Sequence, residues 1–292
     1  MRIYTLELDN DIKEVNKRIA YIESLIAKIE KPDLIVLPEL ALTSYIGNNK
    51  IWDYADKDGV FIYDWAIATA NKYDTYIAVG YLEKKNNDYY NAYLIADKNQ
   101  VYGVVYKSEG ESYIFKRGAF KSIISTPFGN VAIAICYDSR RQHFYENIKD
   151  QEISLILFPH GSPSDPNKIK EEQDNNDFIC LSYHNAFNVP VCYVNSIGEM
   201  GYMLGLTGRL MKKAGFKLNG LSKIYSHNIL NFATNIKEVQ GAEVEIKPQR
   251  RVNEIKFYDQ NITNDNKLFR NLVLKPDIKA GIAYYEKHKK GK

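Results

Sequence analysis

Eight short apolar runs constrain this chain more than anything else in it: LIVLP, YIAVGYLE, YNAYLIAD, VYGVVYK, VAIAICYD, SLILFP, PVCYVNS and ILNFATN. They are rich in β-branched and aromatic residues and are bounded by Gly, Pro, Asn or Asp, so they read as strands. Some alternate and others are apolar throughout, as sheets packed face to face and covered outside by helices require. Part of that cover is visible. Ile12, Val15, Ile19, Ile22, Ile26 and Ile29 recur at helical spacing, which predicts a helix over about residues 11–30. Asp9, Asn10 or Asp11 stands where its N-cap belongs, and Pro32 and Asp33 break it. The pattern is that of a layered α/β protein.

A chain of 292 residues can bury such a core as one domain. Hydrophobic content of 45% and a formal charge of +3 are ordinary for a globular protein, and no apolar run approaches the roughly 20 residues that a membrane span needs. No membrane partner is expected. The start MRIYTLELDND is acidic where a secretory signal would be basic and then apolar, so a cytoplasmic protein is expected. Three cysteines, Cys136, Cys180 and Cys192, are too few and too scattered for a disulfide framework or a metal site. All three are expected to be reduced.

Cys136 closes the run NVAIAIC just where the polar turn YDSR begins, and a strand ending on cysteine presents its thiol to a cleft. A free thiol with a pKa of ~8.5 is only a few per cent thiolate at neutral pH, and most buried cysteines are inert small hydrophobes. Reactivity therefore needs a base or a cation nearby. Glu39 closes DLIVLPEL and Lys107 closes QVYGVVYK, at the ends of comparable runs. The plainer readings are a carboxylate capping a helix at ALTSY and a surface lysine at a strand end. DLIVLPE at 33–39 and SLILFPH at 154–160 share an apolar strand ending in proline and a polar residue. That echo sets His160 where Glu39 stands and brings it near the same cleft; the alternative is a histidine capping the loop before GSPSDP.

PELALTSY around Glu39, the pair Tyr106 and Lys107 followed by ESYIFKRG, and GNVAIAICYDSR around Cys136 together resemble the nitrilase, or carbon-nitrogen hydrolase, superfamily. VPVCYVNSIG and GLTGRLMKKAGFKL follow in the family's order. The resemblance implies a four-layer α-β-β-α sandwich, with a hydrolase domain over 1–240 and a C-terminal tail over 241–292. It implies Cys136 as nucleophile, Glu39 as general base and then general acid, and Lys107 with the backbone N–H of Tyr137 as partners of the oxyanion. Glu111 would support Lys107 and the hydrolytic water. The implied reaction is hydrolysis of a non-peptide C–N bond in a small amide or N-carbamoyl compound through a thioester, with no metal or organic cofactor.

Tyr137 and Asp138 follow the cysteine where nitrile hydrolysers have tryptophan and glutamate, so the resemblance leans toward the amidase and carbamoylase branches. Arg140 matches an arginine often found just beyond; it either binds a substrate carboxylate or makes a structural ion pair with Asp138 or a helix cap. Arg141, Gln142 and His143 replace a Phe-Pro-Glu type sequence, and LSYHNAFN lacks a charged pair of the family, so no one branch's substrate carries over. Two other functions fit the same residues: an acyltransferase passing the thioester's acyl group to an amine, and a non-catalytic binding protein. The resemblance implies a homodimer or higher homo-oligomer for this chain, with its C-terminal tail as an arm that clasps a neighbouring subunit. Here the tail is expected to be solvated at KHKKGK, with FRNLVL supplying a short packing strand. Its basic residues alternate with acidic ones without a nucleic-acid-binding signature, so no nucleic-acid partner is expected.

Overall fold

Side-chain alternation along the strands decides the layering. Leu34 and Val36 enter one apolar cluster and Ile35 and Leu37 another. Val131, Ile133, Leu155 and Leu157 join the first of these, whereas Ala132, Ala134, Ile156 and Phe158 enter a third. The shared cluster lies between two sheets, which explains why the runs are apolar on both faces. In this computed structural model, residues 1–109, 112–232, 234–264 and 267–289 are described.

The larger sheet runs in the order Ile229–Phe232, Val239–Val244, Arg2–Leu6, Leu34–Val36, Tyr76–Lys85, Asp88–Ala96, Val101–Tyr106, with Asp56–Lys57 beside Tyr76–Lys85. The second runs Lys223–Tyr225, Val191–Val194, Leu155–Pro159, Gly129–Ile133, Ile123–Thr126. Helix α1 (Val15–Ile26) and helix α2 (Val60–Tyr73) cover the outer face of the first sheet through Ile22, Leu25, Ile62 and Trp65. Helix α3 (Gln142–Ile148) and helix α4 (Ile169–Phe187) cover the second through Phe144, Ile148, Ile179 and Tyr183. The layers are therefore helix, sheet, sheet, helix. All eight expected runs contain strands, and Arg2–Leu6 and Val239–Val244 join them as an antiparallel pair.

Two local expectations differ. Helix α1 starts at Val15, preceded by Glu14 at φ 68 with no side-chain cap. Asn10 is buried instead, donating to the carbonyls of Tyr45 (3.1 Å) and Glu199 (2.7 Å) and accepting the Tyr45 N–H at 2.6 Å. Arg18 of α1 donates to the carbonyls of Ala41, Asp9 and Ile12. The helix entry is thus spent on holding the loop that follows Glu39.

FRNLVL is helical, not a strand: a π-helical turn, Arg270–Leu274, leads into the C-terminal helix Lys275–His288. Pro276 has no N–H for the carbonyl four residues back, so the regular ladder is interrupted there. The helix is docked. Tyr285 is 2% exposed, packs edge-on to Trp52 at 6.0 Å, and its hydroxyl accepts the Tyr89 N–H at 2.9 Å. Of KHKKGK, residues 290–292 lie outside the described residues, while Lys289 pairs with Asp88 at 2.6 Å. Among the described residues no helix is long and apolar enough to cross a membrane.

Candidate active site

Leu34–Val36 and Leu155–Pro159 run parallel to both neighbours and Gly129–Ile133 runs parallel to Leu155–Pro159, and the carboxyl ends of these three strands deliver Glu39, Cys136 and His160. Carboxyl ends of parallel strands are where α/β sheets hold ligands. Lys107 follows Val101–Tyr106, and its backbone N–H continues the ladder to the Asn91 carbonyl at 2.9 Å. Gly80 lets the Glu39 turn lie directly on the adjacent strand: a Cβ there would stand 2.6 Å from the Pro38 carbonyl and the Leu40 nitrogen.

Glu39 and Lys107 form a dry ion pair. They are 1% and 4% exposed, and Lys107 Nζ lies 2.6 Å from Glu39 Oε1. Asn91 Nδ2 donates to the same oxygen at 2.6 Å, and the Gly161 N–H donates to Oε2 at 2.7 Å. These donors converge on one buried carboxylate and fix its direction. Glu39 caps no helix, and Lys107 is not a surface lysine.

Cys136 is half-buried at φ 51, a left-handed conformation that costs a non-glycine residue about 1–3 kcal/mol and clusters at functional sites. It opens the 3₁₀ turn Cys136–Arg140. Within that turn Ser139 Oγ donates to the Cys136 carbonyl at 2.7 Å, so its only proton is committed. The 3.4 Å contact between Ser139 Oγ and His160 Nε2 then places the ring proton on Nε2 and leaves Nδ1 as an acceptor. Nδ1 is buried without a hydrogen-bond partner among the described residues. Burial holds His160 neutral, well below the usual imidazole range, with the charges of Arg140 and Lys107 acting the same way.

Asp138 ties the cysteine turn to the lysine loop, accepting the N–H groups of Ser108 at 2.9 Å and Glu109 at 2.8 Å. Burial pushes its carboxyl up to about 8, against those N–H groups and Lys107. Glu109 adds ion pairs to Arg117 and Arg141, both at 3.3 Å. With Asp138 so occupied, Arg140 finds Glu172 of α4 instead, at 3.7 Å. Glu111 lies outside the described residues. Cys180 and Cys192 are core residues whose thiols burial pushes far up.

Cys136, Tyr137, Arg140, His160 and Gly161 line one cavity of about 530 Å³, within the range of small-molecule sites. Glu39 sits one hydrogen bond behind it, through Gly161. The two strand ends of the sequence echo thus meet, although their strands belong to different sheets. Helix α5 (Gly205–Lys213) and the C-terminal helix close the outer side. Asp277 accepts the N–H groups of Leu206 (2.8 Å) and Thr207 (3.0 Å) and the Tyr113 hydroxyl (2.9 Å), capping α5 from another helix. A larger hollow of about 760 Å³ near His184 and His227 lies apart from these groups.

The carbon-nitrogen hydrolase family model matches residues 3–241, and the chain belongs to that family. Solved structures agree on the fold. A carbon-nitrogen hydrolase from Helicobacter pylori G27 is similar at 21% identity, with 83% of this chain and 88% of that one covered and a TM-score of 0.65. An amidase from Nesterenkonia sp. is similar at 14% identity over 94% and 96%, with a TM-score of 0.64. A superfamily protein from Xanthomonas campestris, solved with an arsenic adduct in its active site, is similar at 16% identity over 77% and 82%, with a TM-score of 0.61. No curated protein sequence matches the chain.

Sequence reasoning missed Asn91, Glu172 and Asp277. Asn91 had a signal, since it is a lone amide in YYNAYLIA, on the same strand face as the inward-facing Tyr93 and Ile95. Glu172 and Asp277 had none. Each sits among exposed charges, and only the tertiary fold brings it to the cavity.

Proposed function

We propose that this protein hydrolyses the C–N bond of a small amide through a thioester on Cys136. The observation that carries the reading is the buried Glu39 carboxylate, held by Asn91 and Gly161 and paired with Lys107, beside a cavity that a strained cysteine enters. Glu39 takes the thiol proton as Sγ bonds to the carbonyl carbon. The Lys107 ammonium and the Tyr137 N–H hold the oxyanion. The C–N bond breaks, Glu39 returns the proton to the departing nitrogen, and ammonia leaves. Water then attacks the thioester, Glu39 accepts its proton, and the carboxylic acid and the thiol are released. Arg140 and His160 stand on the cavity wall beside the bound substrate.

The test is ammonia release from a panel of primary amides, ω-amides of dicarboxylic acids and N-carbamoyl amino acids, with and without hydroxylamine. Ammonia released with free acid formed supports hydrolysis. Hydroxamate that replaces the acid at low hydroxylamine identifies acyl transfer, and silence across the panel with no label on Cys136 leaves a binding protein.

A further inference from the structure

The family match ends at residue 241, yet part of the cavity's outer wall comes from residues beyond it. Phe269, Leu274 and Ile278 line the cavity beside Met203, Met211 and Phe216. Leu274 and Ile278 stand four residues apart on one helix face, half-buried, with part of their surface left open. Every charge on this wall already has a protein partner. Asp277 is held by Leu206, Thr207 and Tyr113, Arg270 by Asp259, and Arg140 by Glu172. Most of the surface that the cavity leaves to a ligand is apolar.

The wall is fixed in place. Tyr285 anchors the far end of the helix, and Gly281 brings it against the loop after Lys107, where a Cβ would stand 2.2 Å from Ser112 Oγ and 2.7 Å from the Tyr113 ring. The π-helical turn Arg270–Leu274 lies at the same wall, and such turns are frequent at functional sites.

From these observations we infer that the C-terminal segment 267–289 is the specificity wall of the site, and that the preferred substrate is an uncharged amide whose acyl group is a straight apolar chain of several carbons. The inference rests on the amidase reading above for the position of the amide carbon at Cys136. The chain then extends away from Glu39 and Lys107 toward Leu274 and Ile278, and each methylene it buries strengthens binding about fourfold.

Binding can be read without chemistry, in the Cys136→Ala protein, by calorimetry with propionamide, butyramide, pentanamide and hexanamide. The expected result is a Kd that tightens by roughly sixtyfold across the series. Adding Leu274→Ala and Ile278→Ala should weaken hexanamide binding by about tenfold or more and leave propionamide within about twofold. Gly281→Ala, which pushes the helix off its seat, should flatten the series in the same direction. A flat series in the Cys136→Ala protein, or a series whose slope survives both wall variants, overturns the inference. A steep series in a wild-type protein that turns over none of these amides would instead overturn the hydrolase reading and leave the wall standing.

Discussion

The two ends of the cavity are held by different physics. At the inner end Glu39 and Lys107 are nearly inaccessible, three donors converge on one carboxylate, and a glycine lets two backbones touch. At the outer end Arg140 and Glu172 face each other at 3.7 Å, too far for a hydrogen bond, with side chains 21% and 19% exposed, among half-buried apolar residues. A dry, over-determined pair favours a fixed reaction geometry, because its electrostatics are little screened and need no reorganisation. A loose, apolar wall changes at small cost. The inner end is therefore assigned to the reaction and the outer end to the substrate.

The largest expected effect is at the inner end. Cys136→Ala should abolish turnover with the fold intact, since the thiol is only half-buried, while Cys180→Ala should keep the rate if the protein stays folded. Near-normal turnover in the first variant would break the comparison. Next, Glu39→Gln and Lys107→Met should each slow acylation by on the order of 10²–10⁴-fold. Each also strands a buried charge, at a cost of about 3–5 kcal/mol in denaturant unfolding. The double variant should regain most of that stability and none of the rate. Rate losses that merely follow the stability losses would mark the pair as structural.

Why this end was legible is physical. Glu39, Lys107 and Cys136 each have a plain structural reading taken singly, but a carboxylate, an ammonium and a thiol together at the ends of apolar runs, in blocks that resemble one family, make the set that cysteine chemistry needs, and they stood out in the sequence. Hydrogen-bond partners supplied by backbone, such as the Gly161 N–H, leave no side-chain trace. The outer wall was illegible for another reason. Leu274, Asp277 and Ile278 lie in a segment with few apolar residues, and Tyr285 gains its burial only by docking on Trp52 and Tyr89, which are remote in sequence. Asp9 and Asp11 looked like caps because local spacing fits a cap; Asn10 and Arg18 being recruited to the Glu39 loop is a tertiary demand that spacing does not record.

Acid should act on two histidines. His143 is held down to about 4 by burial, with Arg141 and Arg117 acting the same way against Glu109, and His160 is held down by burial with Arg140 and Lys107. Both folded-state values lie below the ordinary 6.5, so the unfolded chain takes up protons first as pH falls. Both add stability that is complete above about pH 6.5 and is lost as pH falls below it, for His143 progressively toward about 4. Asp138, pushed up to about 8 by burial, acts with the opposite sign over the same range, so the share of His143 is read by difference: between pH 7 and 5 the urea midpoint of the His143→Gln protein should fall less, or rise more, than that of the unaltered protein, and identical pH dependence would remove His143 from the account.

The smallest effect belongs to Arg140. With Glu172 already opposite it, Arg140→Leu should lower kcat/KM for a neutral amide and for an acidic ω-amide of equal length by similar factors, within about threefold of each other. A loss confined to the acidic substrate would sharpen the comparison differently, turning the outer end into a carboxylate site in which substrate displaces Glu172.

One measurement bears most directly on the inner end as the seat of the reaction: rapid-quench mass spectrometry of the protein during turnover of butyramide, with the peptide that carries Cys136 resolved from those carrying Cys180 and Cys192. The account predicts a transient butyryl adduct on Cys136 alone, formed before the acid appears and diminished in rate by Glu39→Gln. Acid formed with no adduct on Cys136, or with an adduct on another cysteine, would contradict it.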